Sequence, residues 1–311
     1  MPAYSSLERV SLSAIDFADD SYRVSRKRPL DALRSSIERF GVLESPLLLR
    51  QNDRIIPVFG HNRILAAAES GLDSVNAVVV DRVDPTDYRN RALLKCARNE
   101  AGPVGRIKMA LVLNRLGTGA DDLRRTMRYG LGVPDEFASA RMLDTVLGLP
   151  GHLRDYLDAR DVGFKVIKEL VTLPTEAQVF LGERAGDAGF RINIFREMVE
   201  MLSDIAVREG TLEPVLAIPP AQTGDRRRDE QALFDAIHAL RYPAYTAMRE
   251  KAAKIVSGIE RAGCGVTFPP YFEGGEVMLN VRFVRGEREE SIRKRLSEVD
   301  ARGIEKLLDL L

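Results

Sequence analysis

"VFGHNRILAAAESGLDSVNAVVVD", residues Val58 to Asp81, is the stretch on which the reading of this chain turns. An apolar run stops at Gly60, and a helix-forming segment opens with His61, Asn62 and Arg63. A second apolar run, Val75 to Val80, follows. The order is strand, glycine, helix, strand, with three nitrogen-rich side chains in the first turn of the helix. A helix N-terminus leaves backbone N–H groups unpaired and carries partial positive charge. Glycine ahead of it lets an anion approach the backbone, and arginine in the first turn adds a forked donor. "GHNR" can therefore serve as a phosphate cradle, with the backbone of Gly60 to Asn62 donating and Arg63 gripping the phosphates. It can also be an ordinary turn with solvated side chains. The motif by itself favours that plainer reading, because short glycine motifs recur by chance.

Working outward, "PLDALRSSIERFG" puts Leu30, Leu33 and Ile37 on one helical face and ends on Gly41 as a C-cap. "SPLLLR" and "RIIPVF" flank a "QND" turn, the pattern of a buried hairpin. Residues 1–87 thus read as a mixed α/β domain. From Tyr88 to Ala206 the β-branched runs disappear, and short helices separated by Gly or Pro take over, as in a compact helical domain over 88–206. Residues 207–225 hold three prolines and no periodicity, and read as a linker. In 226–311 a long helical stretch is broken or kinked at Pro243. Two strands about Gly274-Gly275 and a leucine-rich helix follow. The fold class is α+β and multidomain.

At 311 residues, two or three domains are expected. Lys plus Arg and Asp plus Glu both number 46, so whole-chain charge neither supports nor excludes a polyanionic partner. The first residues show no secretion signal, and no apolar window reaches the length of a membrane span. Cys96 and Cys264 are far apart, and His61, His152 and His238 are scattered, which gives no disulfide framework and no metal spacing. A cytoplasmic, metal-free chain is the expectation. His152 reads as a surface residue, His238 as a packed one, and Cys264 as buried rather than reactive.

Local charge says more than net charge. Between Tyr88 and Gly130 ten Arg or Lys face three acidic residues, which fits phosphate contact or a solvated helical face equally. "DDLRRTMRYGLGVPDEFASARMLDTVLGL" has the length and glycine turn of a helix-turn-helix. Its second helix is expected to begin at "PDEFASAR". Asp135 and Glu136 would then face phosphates unfavourably, leaving Ser139 and Arg141 as donors. Without further context this is helix packing rather than DNA reading.

Several stretches, in order, supply that context. "SYRVSRK", "LDALRSSIERFGVLESPLLLR", "VFGHNRILAAAESGL" and "VNAVVVD" resemble the N-terminal domain of the ParB-type partition proteins. That family carries a "GERRxRAA" phosphate motif after a helix ending "SI..G". "RNEAGPVGRIKMALVLNRLG" is similar to its "EN.QR..L.PIEEA.AY..L", one position shorter. "LGLPGHLRDYLDARDVGFKVIKELVTLPTEAQVFL" is similar to its middle helices, and the C-terminal hairpin and helix to its dimerisation module.

The resemblance implies an N-terminal domain that binds CTP with magnesium and closes as a clamp, a helix-turn-helix middle domain, and a dimeric protein. It further implies double-stranded DNA and a ParA-type ATPase as partners, in the cytoplasm on the nucleoid, in chromosome or plasmid maintenance. Carried over residue by residue, Gly60, Arg63 and Ala66 match the phosphate motif, while His61 and Asn62 stand where the family has Glu and Arg. Arg23 falls near the first nucleotide-contacting segment. Asn99 matches the third motif, but Arg98 replaces the glutamate that helps to hold the metal. Magnesium prefers hard oxygen ligands, so binding less dependent on metal and weak or absent hydrolysis follow. On the DNA side the same carry-over points to Arg124, Arg125, Arg128, Ser139 and Arg141.

The α/β domain also resembles sulfiredoxin and related nucleotide-using kinases, whose motif reads "GCHR". Here no cysteine is present and no carboxylate base stands near "GHNR" in sequence. A third alternative is an adaptor that keeps the fold without the ligand. At the C-terminus, Ile304, Leu307, Leu308 and Leu311 form one stripe, expected to pair with a second copy because so small a module buries little alone. The alternative is that the stripe packs back on the long helix before it.

Overall fold

The computed structural model describes residues 6–24, 30–221, 223–260, 264–269, 272, 274–283, 285–297 and 301–311. Part of the Arg23 segment (25–27), Pro29, part of the C-terminal strand-and-loop region (270, 271, 273 and 284) and residues 298–300 of the last helical run lie outside them. The chain divides into two compact units, Met1–Ala206 and Val207–Leu311.

The first unit opens with β1 (Ser6–Ser11) and a 3-10 turn over Leu12–Ala14, followed by α1 (Asp31–Phe40). Gly41 closes α1 at φ 69°, a conformation that favours glycine. The hairpin of β2 (Leu47–Gln51) and β3 (Arg54–Phe59) turns at Asn52, which takes the left-handed conformation at φ 55°. α2 (His61–Glu69) and β4 (Ser74–Val80) complete the layer. The sheet order is β1-β4-β2-β3, with β4 parallel to β2 (Leu48 opposite Val79) and antiparallel to β1 (Val10 opposite Val75). Pro57 sits in the edge strand β3, where its missing N–H does no harm. Ile37 of α1 and Ile64, Ala66 and Ala67 of α2 pack on Val10, Leu48, Val75, Ala77 and Val79 of the sheet. Small residues on α2 let that helix lie close to the strands.

The helices expected as a separate middle domain belong to the same compact unit. α3 (Pro85–Ala97) starts with Asp84 as N-cap and Pro85 at its first position. α4 (Pro103–Arg115) buries Val104, Ile107, Met109, Ala110, Leu111, Val112 and Leu113, nearly its whole circumference. α5 (Ala120–Arg125) runs into a π turn over Thr126–Leu131 that ends at Gly132 in the left-handed region. Then come α6 (Ala140–Leu147), α7 (Gly151–Arg160), α8 (Phe164–Leu170), α9 (Thr175–Ala188) and α10 (Ile192–Glu209).

The second unit opens on the segment read as a linker. The segment 207–225 contains the end of α10 and a one-turn helix, α11 (Glu213–Leu216), and it buries Leu212 and Val215. α12 (Arg226–Arg241) stops before Pro243, which opens α13 (Pro243–Glu260). β5 (Cys264–Thr267) and β6 (Met278–Val281) pair antiparallel, and α14 (Glu289–Ser297) and α15 (Ala301–Leu308) close the chain. The apolar stripe of α15 is engaged within the chain. Leu307 is fully buried with Ala252, Ile259 and Phe272, and Ile304 and Leu311 pack against the same cluster. Leu308 alone of the four is substantially exposed, at 45 %. The stripe is thus spent mainly on the module's own core.

Candidate functional site

Phe59 ends β3, and Gly60 takes φ 92° to redirect the chain into α2. A Cβ at this position would lie 2.8 Å from Pro46 Cβ, so the glycine is required by both backbone and packing. Pro46 is itself fixed to the sheet, its carbonyl accepting from the Val78 N–H at 2.9 Å. The segment Glu44-Ser45-Pro46 is thereby held against the start of α2.

Around this point a small cleft forms, lined in part by Glu44, Gly60, Arg63, Lys95, Arg98 and Glu100. Arg63 Nη2 lies 2.5 Å from Glu44 Oε2, and its Nη1 donates to the Glu44 carbonyl at 3.1 Å. Arg98 Nη1 stands 3.7 Å from the same carboxylate oxygen. Lys95, 15 % exposed, pairs with Glu100 at 3.4 Å. Burial pushes the Lys95 ammonium below its ordinary range, and Glu100 opposes that shift. The end of α3 builds this side of the cleft. Asn99 adopts φ 54°, and the Glu100 N–H returns to the Lys95 carbonyl at 2.9 Å, which brings Glu100 back over Lys95.

Gly60, Arg63 and Arg98, 38 residues apart at their widest, therefore meet in one place. Glu44, Lys95 and Glu100 join them although the sequence reading passed them over. Two carboxylates thus stand beside "GHNR" in space, although neither is near it in the sequence. Glu44 precedes Arg63 by nineteen positions, and only the β2–β3 hairpin brings them together.

His61 is placed differently from a solvated side chain. It is 7 % exposed, and Nε2 has no hydrogen-bond partner among the described residues. Burial, then the nearby charges of Arg23, Lys95 and Lys108, hold its pKa down at about 3, so the imidazole is neutral at physiological pH. Asn62 is half-buried in the same turn. Arg23 lines a different cavity of about 200 Å³ with Asp20, Lys108, Arg154, Asp155 and Asp158. Lys108 Nζ donates to the Asp20 carbonyl there at 2.5 Å.

The region expected to form a helix-turn-helix departs from that expectation at its second helix. α6 begins at Ala140, with Ser139 Oγ accepting from the Met142 N–H at 3.2 Å, so Ser139 is the N-cap. Asp135 and Glu136 lie in a preceding 3-10 turn, where they pair with Arg128 at 3.0 Å and Lys168 at 3.5 Å. The acidic residues are neutralised outside the helix rather than aimed along it. Arg124, Arg125, Arg128 and Arg141 are exposed. Tyr129, in the π turn, is 78 % exposed with the Arg128 guanidinium 5.5 Å from its ring centre. Among the described residues no group of His, Cys, Asp and Glu is arranged to hold a metal, and no helix is long and apolar enough to cross a membrane.

No family model matches this chain, and no curated protein matches it. Among solved structures it is similar to the C-terminally truncated chromosome-partitioning protein ParB from Caulobacter crescentus complexed to the centromeric parS site. That match has 14 % identity, covers 62 % of this chain and 98 % of that one, and has a TM-score of 0.29. It is also similar to a Pnob8-like ParB-N domain, at 11 % identity over 76 % and 99 % of the two chains, with a TM-score of 0.37. A third match is the Caulobacter crescentus ParB complexed with CTP-gamma-S, at 17 % identity over 58 % and 98 %, with a TM-score of 0.26.

Proposed function

We propose that this chain is a ParB-like partition protein whose α/β layer binds a nucleoside triphosphate, CTP by the family resemblance, and whose helices bind double-stranded DNA. The observation that carries the reading is the meeting of Arg63, Lys95 and Arg98 at the glycine-opened start of α2. Cations from two helices converge where a helix N-terminus already favours an anion. The order of family-like motifs along the chain supports the same reading. A sulfiredoxin-like kinase would need an available carboxylate base, and both carboxylates of the cleft are paired with cations.

The donor set suits phosphate better than magnesium. Magnesium at such sites takes one or two carboxylates together with phosphate oxygens. Here each carboxylate is flanked by cations, Glu44 by Arg63 and Arg98 and Glu100 by Lys95, so a magnesium ion would sit among like charges. Nucleotide binding that survives chelation, with slow or absent hydrolysis, is the corresponding expectation. On the DNA side, Arg124, Arg125, Arg128 and Arg141 supply phosphate contacts, with Ser139 fixing the start of α6. The protein works as a dimer in the cytoplasm, on the nucleoid, with a ParA-type ATPase as partner.

Calorimetric titration of the full chain with CTP, with magnesium and with chelator, tests the reading. Micromolar binding that Arg63→Ala abolishes without loss of helical signal is expected. Equal affinity in the variant, or binding that vanishes with chelator, overturns the assignment.

A further inference from the structure

We infer that Glu44 is a built-in counter-anion: its carboxylate occupies the phosphate seat between Arg63 and Arg98, and a phosphate-bearing ligand must displace it. The inference rests on the reading of this cleft as a phosphate site and adds how its affinity is set. Glu44 plays two parts that can be separated. Its carbonyl accepts from Arg63 Nη1 at 3.1 Å and aims the guanidinium into the cleft. Its carboxylate takes Nη2 at 2.5 Å and faces Arg98 at 3.7 Å, and so uses the donors a phosphate would need.

The exposures decide which partner moves. Arg63 is 24 % exposed and Glu44 56 %, so the arginine is held by its surroundings while the carboxylate can swing into water. The backbone beneath it stays in place, because Pro46 is hydrogen-bonded to β4 and packed against Gly60. The cleft as it stands encloses about 50 Å³, space for a few waters, and the carboxylate must leave before a triphosphate enters. Arg98 has a consequence of its own here. A glutamate at that position would repel Glu44, whereas a guanidinium gives the internal anion a second cation to hold.

The test is Glu44→Gln, which keeps the carbonyl that positions Arg63 and removes the competing charge. Calorimetry with CTP and with inorganic tripolyphosphate, in chelator, should show about fivefold tighter binding in the variant, the range of one partly exposed ion pair. Glu44→Ala should gain as well, which separates charge removal from any new contact made by the amide. Thermal unfolding in the absence of ligand should change by no more than a surface substitution does. If the unaltered chain binds and Glu44→Gln binds equally or more weakly, the counter-anion is refuted while the phosphate site stands. If neither the unaltered chain nor Glu44→Gln binds CTP or tripolyphosphate, the phosphate site itself is refuted, and this inference with it.

Discussion

Asp158 of α7 caps α4 from more than fifty residues away: its Oδ1 accepts the N–H of Val104 at 2.8 Å and of Gly105 at 3.2 Å. The residue that precedes α4 is Gly102, which has no side chain to do this. A Cβ at Gly102 would also collide with Asp158, so the glycine makes room for a borrowed cap. Asp158→Ala should cost about 1–2 kcal/mol, the usual worth of an N-cap, with a fall in Tm of about 2–4 °C per kcal/mol for a unit of this size. Asp158→Asn keeps the acceptor oxygen and should lose less. Equal losses in the two variants would show that charge, not capping, holds α7 to α4.

Gly60→Ala should destabilise the α/β layer by about 1–3 kcal/mol from its left-handed backbone alone. The added methyl would also press on Pro46, only 2.8 Å away. The denaturation midpoint should fall while the slope stays the same. Any CTP binding should weaken too, since the start of α2 and Glu44 shift together.

His61 makes stability depend on pH. Its pKa is depressed from the ordinary 6.5 to about 3 in the folded chain, so its contribution is complete above pH 6.5 and is lost as pH falls toward 3. In that window the unfolded chain takes up a proton that the folded chain refuses. The loss attributable to this residue should be roughly 2 kcal/mol at pH 5. His61→Asn should flatten this part of the profile. An unchanged difference in stability between pH 7.5 and pH 5 would place His61 in contact with solvent.

The last helix separates two roles within one stripe. Leu307→Asp puts a charge into the core of the second unit and should unfold that unit, whereas Leu308→Asp should leave its helical signal intact. If a second copy docks on α15, it uses Leu308, and light scattering should show the Leu308→Asp chain as a monomer. A dimer that survives this change uses another surface.

For DNA, Arg124→Ala and Arg125→Ala should each weaken binding about evenly across sequences and lower the salt slope by roughly one. Arg141, in the first turn of α6, is the candidate for sequence preference. A filter-binding series over salt concentration reads both effects. A salt slope unchanged in Arg124→Ala and Arg125→Ala would remove α5 from the interface.

Much of the α/β layer could be read from the residues alone, because its signals are local. Gly41 ends a helix, "QND" turns a hairpin and Gly60 redirects a strand into a helix, each through conformations that few other residues accept. The cap at Ser139 was equally local. Pro134 upstream offers a competing helix start, since proline favours the first position of a helix. The helix-start motif marks Arg63 and the family resemblance marks Arg98 as nitrogen donors, but neither says what faces them. Those partners were fixed by tertiary structure. Glu44 reaches Arg63 because β2 and β3 fold back on each other, and Asp158 reaches α4 because α7 packs beside it. The same holds for burial. Nothing in "GHNR" says that His61 is enclosed, and its neutrality comes first from that burial and then from three cations carried on three other segments. In α15 the sequence determined the stripe, and the fold chose what it covers. The side chains within reach, Ala252, Ile259 and Phe272, bury Leu307 sooner than a second chain can, since an intramolecular contact has no association entropy to overcome.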